Sequence, residues 1–237
     1  MRMAVSTVMA ETRPEAAGHK LYKLMSWLSP AFPVGAFAYS GGLERAVHDG
    51  IVRDVDDLAD WVGVALDHGA VRTDAILVSL AYRADGDDEA LRDLLELAIA
   101  LSGSRERHGE TIGVGAAFLA AVGGWSRSLP PALTDGSGGA PYPVVLGAAA
   151  GIERIPLDWV LTGYQQAFVA QAGSVAIRLG VTGQVGAVAL QAAMEARIGD
   201  AVAGLLTAGI DDLGSAAVIG EISMLRHETQ AVRLFRS

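Results

Sequence analysis

The sequence contains no cysteine. Disulfides, thiolate metal sites, iron–sulfur clusters and cysteine nucleophiles are therefore excluded. Lysine is nearly absent as well: Lys20 and Lys23 stand against sixteen arginines. Neither lysine follows a glycine, so there is no Gly-Lys-Ser/Thr phosphate loop and the chain is not itself a P-loop nucleotidase. Positive charge is in deficit overall, with a formal charge of −9 and a pI near 5.0. That balance lacks the basic footprint that phosphate backbones require, so nucleic acid is not an expected partner. Large side chains are scarce, aromatics making up 6%. What is present is small and apolar: 41 Ala and 29 Gly among 237 residues, 51% hydrophobic overall, with a mean hydropathy of +0.34. Such a chain is not disordered over most of its length, can pack helices closely, and is long enough to bury a real core.

Three uncharged runs, 111–126, 159–177 and 179–194, raise the question of a membrane. They carry Thr162, Tyr164, Gln165, Gln166, Gln171, Ser174, Thr182, Gln184 and Gln191, and no Lys/Arg clusters flank them. They read as buried helices of a protein that does not span a membrane. Arg2 and the apolar run Met3–Ala10 are too short and polar for an export signal and read as a loose leader, 1–18.

From Lys20 the pattern is helical, with Leu21, Leu24, Met25 and Leu28 on one face. Pro30 and Pro33 stop it, and Ala31–Gly42 must be irregular. A helix is expected over Leu43–Asp49, and Asp54 is the expected N-cap of another, carrying Leu58, Trp61, Val62, Ala65 and Leu66. Further helices are expected over 73–84, from Leu91 to Leu101, over 106–122, 156–179, 183–206 and 213–225. On the helix over 106–122, Gly113, Ala117 and Ala121 offer a small-residue stripe for close approach. Residues 123–141 hold Gly123-Gly124, Pro130-Pro131 and Asp135-Gly136-Ser137-Gly138-Gly139, and read as a long loop. Strand-like alternation is nearly absent. The expected fold is all-α, a single-domain multi-helix bundle of about nine or ten helices over 19–225, followed by a tail, 226–237.

Catalytic constellations are missing. The histidines, His19, His48, His68, His108 and His227, never fall at i, i+4, and there is no HExxH or GxSxG. No metal site or catalytic residue is assigned. The acidic pairs Asp56-Asp57, Asp87-Asp88 and Asp211-Asp212 sit where helices begin or in loops and read as capping. The residues point to a helical binding or scaffold protein rather than an enzyme.

Two segments stand apart. Ser29–Glu44, SPAFPVGAFAYSGGLE, packs three aromatics, two prolines and several glycines into a rigid turn-forming stretch. The tail RHETQAVRLFRS, in an acidic protein, carries three Arg and one Glu, with Leu234 and Phe235 between Arg233 and Arg236. Aromatic and Arg side chains together are the types enriched at binding hot spots. Both segments resemble signatures of the urease accessory protein UreF family, as do Ser104-Arg105-Glu106-Arg107 and Arg178-Leu179-Gly180-Val181-Thr182-Gly183-Gln184. Departures are small: Phe32 for Leu, Ala38 for Ser, a flexible Gly41 before Gly42, and Leu225 for Met.

The resemblance implies an all-helical, usually dimeric cytoplasmic chaperone of metalloenzyme maturation. It would bridge UreD (also UreH) and the GTPase UreG for nickel insertion into apo-urease, with no tightly bound cofactor of its own. Carried over, Phe37, Tyr39, Glu44, Arg226, His227, Arg233, Leu234, Phe235 and Arg236 are the expected partner-contacting or partner-organising residues. The alternative is a GTPase-activating regulator of UreG acting in trans, with Arg45 as the candidate finger.

Overall fold

The computed structural model describes residues 14–125, 129–135 and 139–237. Among them there is no β-strand; ten helices of six residues or more and one four-residue helical turn make up the fold. In chain order these are α1 (Pro14–Trp27), α2 (Leu43–His48), α3 (Val55–His68), α4 (Ala70–Arg83), α5 (Asp88–Ala100), α6 (Arg105–Val122), α7 (Pro131–Thr134), α8 (Tyr142–Ile152), α9 (Leu157–Arg178), α10 (Gln184–Leu205) and α11 (Val218–His227). Short 3-10 turns cover Ala36–Ala38 and Ile210–Asp212. The all-α expectation holds. No helix among the described residues is long and apolar enough to cross a membrane.

Local chemistry sets the helix starts. The Asp54 carboxylate accepts from the N–H groups of Asp56 and Asp57 at 3.0 Å each. Asp87 does the same for α5, and Ser104 accepts from Arg107 N–H at 3.0 Å for α6. The acidic pairs are therefore caps and first-turn charges placed against the helix dipole.

Helix α4 is the axis. Nine of its residues are buried, and α3, α5, α8 and α9 pack around it. Helix α10 lies across α9 and α3, while α11 covers α2 and α6. The polar groups of α4 finish the far end of α10. Ser79 Oγ donates to the Leu205 carbonyl at 3.0 Å, and the Arg83 guanidinium donates to the carbonyls of Leu206 and Ala208. These bonds supply donors at the α10 C-terminus, where a helix runs out of its own.

Four features depart from the sequence expectation. Helix α1 begins at Pro14, inside the stretch read as leader; the remainder of that leader, 1–13, lies outside the described residues. Helix α8 has no amphipathic signal because it is buried all round, Pro143–Gly151 without exception. It fits against α4 because Gly147 and Gly151 have no Cβ: one at Gly147 would overlap the Val78 carbonyl oxygen, and one at Gly151 would stand 2.8 Å from that of Tyr82. On α6 the tightest approach falls at Gly115, against Ala140 and Tyr142, outside the small-residue stripe; at Gly113, within it, a Cβ would stand 3.3 Å from the Tyr39 hydroxyl. The 123–141 loop is interrupted by α7, where Asp88 accepts from the Ala132 N–H at 2.9 Å and Leu133 is buried. Residues 126–128 and 136–138 of that loop lie outside the described residues. Helices α6 and α8, on either side of it, pack against one another, so the loop divides no domains.

Candidate functional site

The two segments singled out in the sequence, nearly 190 residues apart, meet. Gly42 caps α2 with φ of 81°, and a Cβ there would come within 2.9 Å of Met224 Cγ. Glycine is required on both counts, and it lets α11 lie directly over the start of α2. That places Glu44, in the first turn of α2, under the tail. Glu44 is only 7% exposed. Its carboxylate accepts from Leu234 N–H (2.6 Å), Phe235 N–H (3.0 Å) and His227 Nε2 (3.0 Å). Burial alone would push this carboxyl up. The hydrogen bonds from His227, Leu234 and Phe235, with the charge on His227, outweigh burial and hold it below its ordinary value.

His227 has no solvent exposure. Its Nδ1 faces Glu106 Oε2 on α6 at 2.7 Å, and the other Glu106 oxygen accepts from Arg233 Nη1 at 2.6 Å. The backbones of the two segments then pair. Arg236 N–H donates to the Ala38 carbonyl and Ser40 N–H to the Ser237 carbonyl, each at 2.8 Å. The Ser40 hydroxyl donates to the same Ser237 oxygen. Position 38 therefore contributes a carbonyl, and the hydroxyl that alanine lacks there is not part of that pairing.

Helix α9 fixes both segments from beneath. Gln171 donates to the carbonyls of Ala36 (2.9 Å) and Tyr39 (3.0 Å). Arg178 donates to the Phe37 carbonyl at 2.9 Å and stacks its guanidinium 4.0 Å over the Phe235 ring. A second polar cluster adjoins the first. Arg107 pairs with Asp74 and, at 3.6 Å, with Glu110; Tyr164 donates to Asp74 at 2.7 Å; Ser237 Oγ donates to Glu110 at 3.3 Å. Burial pushes the Glu110 carboxyl up in spite of Arg107, and pushes the Tyr164 hydroxyl up with the help of Asp74.

The expected site residues divide into two sets. Glu44, His227 and Phe235 are buried and hold the assembly from within. Tyr39 is half-buried, its carbonyl taken by Gln171. Phe37 (68% exposed), Leu234 (54%), Arg226, Arg233 and Arg236 face outward. Arg226 leans on Asp49 at 3.4 Å, and Arg233 is paired with Glu106. The Arg236 guanidinium has no ion-pair partner among the described residues. Arg45 is committed to Asp49 at 2.7 Å.

Glu106, Gln171 and Arg178 were not singled out as site residues. Glu106 and Arg178 lie inside the Ser104–Arg107 and Arg178–Gln184 motifs, which is their signal in the sequence; Gln171 has none beyond being polar in an uncharged helix. Among the described residues no three His, Asp or Glu side chains are grouped to hold a metal ion.

The family model described as UreF matches residues 52–195. A urease accessory protein UreF of Sinorhizobium medicae is 49% identical over 217 residues, covering 92% of this chain and 96% of the relative. Relatives of the same name from Rhizobium meliloti (49%) and Rhizobium etli (46%) have the same coverage.

Proposed function

Because the chain belongs to the UreF family of urease accessory proteins, and so to the machinery of urease maturation, we propose that it is a non-catalytic adaptor bridging UreD (UreH) and the GTPase UreG for nickel insertion into apo-urease. We place this in the cytoplasm, with the chain acting as a homodimer and the nickel carried by the assembled complex rather than held tightly by this protein. One observation supports the reading: the buried Glu44 and His227, with Glu106 and the surface residue Arg178, tie two distant segments together, and those segments carry the exposed Phe37, Leu234 and Arg236. An exposed aromatic and an arginine with no ion-pair partner among the described residues, carried on segments tied to each other, are of the types enriched at hot spots. The arginine fork fits a carboxylate on a partner.

Arg45 is tied to Asp49, so an arginine finger at that place would first have to break its ion pair. The adaptor reading is preferred for that reason.

The test is nickel per urease active site, measured on the cognate operon expressed with this frame intact, deleted, or carrying Leu234→Ala with Arg236→Ala. Neither residue is buried, so the double variant keeps the fold. The adaptor reading expects apo-urease to accumulate in the deletion and the double variant alike, with the UreD–chain–UreG complex lost on size exclusion. Full nickel loading without the frame would end the maturation reading. Full loading and complex formation by the double variant would move the partner surface elsewhere.

A further inference from the structure

The position of His227 has a chemical consequence for the tail. A neutral imidazole carries one N–H and one lone pair. Between Glu44 at one nitrogen and Glu106 at the other, it would satisfy one carboxylate and turn a lone pair on the second. Only a ring with both protons donates to both. The same carboxylates already serve the tail: Glu44 takes Leu234 and Phe235 N–H, and Glu106 takes Arg233. The surrounding charges are engaged elsewhere. On α2, Arg45 pairs with Asp49, which also receives Arg226 from α11. On α6, Arg105 faces Glu228 at 3.7 Å, Arg107 is held by Asp74 and Glu110, and Glu110 receives Ser237 Oγ. None of them is placed to replace a lost ring proton.

We propose that residues 229–237 form a strap whose docking on α2 and α6 is controlled by the protonation of His227, closed on the doubly protonated ring and loosened when one ring proton leaves. The strap is built to release. Phe235 is its single buried apolar anchor, while Val232 is 85% and Leu234 54% exposed, and the remaining ties are polar. Undocking would separate the segment that carries Leu234 and Arg236 from the one that carries Phe37, which pair through their backbones when docked. That consequence for partners rests on the function proposed above; the docking itself does not. On that reading, ammonia from urea hydrolysis, being a base, acts in the loosening direction.

The absence of cysteine allows a clean test, since Val232→Cys gives one attachment point for a nitroxide label. The label's mobility is read by electron paramagnetic resonance on the full chain from about pH 6 to about pH 9. The docked-to-free ratio is expected to fall roughly tenfold across that range, the effect of one charge-assisted hydrogen bond. Glu106→Gln supplies an amide that donates to a bare ring nitrogen, so its label should stay immobilised at the alkaline end. His227→Gln should show no transition. Circular dichroism at each pH should show constant helicity. Unchanged mobility in the parent, an identical transition in both variants, or a transition that runs with loss of helix would overturn the strap. A normal transition in a chain that fails to bind UreD or UreG at the acid end would instead count against the adaptor reading.

Discussion

The α4–α8 contact and the contact of Glu44 and His227 with the tail both have buried centres, yet they are held by opposite means. Between α4 and α8 almost every group is small and apolar, and the helices touch backbone to backbone at Gly147 and Gly151. There is no polar bond to satisfy there and no room for a Cβ. Around Glu44, the tail is fixed by two carboxylates that between them take His227, Arg233 and the N–H groups of Leu234 and Phe235, with Phe235 as the apolar anchor. Close packing gives a contact that either forms completely or fails. A matched set of charges gives one that is stable only while every member keeps its proton state and partner. The first suits a scaffold, the second a segment that has to be positioned and released.

The largest contrast comes from overpacking the first contact. Gly147→Leu forces a side chain into the Val78 carbonyl and should cost more than about 3 kcal/mol, seen as loss of cooperative thermal unfolding or of soluble yield. Truncating the second should be severe but local. Phe235→Ala removes a buried ring and its stacking against the Arg178 guanidinium, about 3 kcal/mol at the site, and hydrogen exchange should show 229–237 unprotected while α4 amides are unchanged. Equal loss of protection in α4 would mean that the tail is part of the core and the contrast is false.

A smaller effect is expected from acid. The Glu44 carboxyl is held below its ordinary 4.5, so its contribution is complete above that value and is lost as pH falls through the depressed one. Tail protection should decline below about pH 4.5 in the parent. Glu44→Gln should lack that decline, having already lost one acceptor oxygen. Glu110 has the opposite sign: its carboxyl is pushed up by burial, so rising pH ionises it at a cost to the fold. The smallest effect is Ala38→Ser, which restores a hydroxyl where only the carbonyl is used. It should shift stability by less than about 0.5 kcal/mol in a thermal melt.

Much of the helical order could be read from the chain because its signals are local. Asp54, Asp87 and Ser104 are caps that act within three residues, and Gly42 and Gly50 both take the left-handed backbone beside α2. Helix α8 could not be read that way, since a helix buried on every side has no period to detect. The loop and tail motifs identified the segments that matter, but not how their residues divide. Glu44, His227 and Phe235 look no less exposed in the sequence than Arg226, Leu234 and Arg236 do. Their burial depends on Glu106 and Arg178, which reach them from other helices.

The sequence by itself determined the helical class, the caps, the exclusion of thiol and P-loop chemistry, and the two segments of unusual composition. Each of these depends on residue type or on spacing within a few turns. Only the tertiary structure decided that α8 is the buried partner of α4, that the tightest backbone approach on α6 is at Gly115, and that the tail closes over Glu44. Those outcomes turn on which surfaces meet across tens to nearly two hundred residues of chain, where a missing Cβ or a matched carboxylate counts only once its partner has arrived.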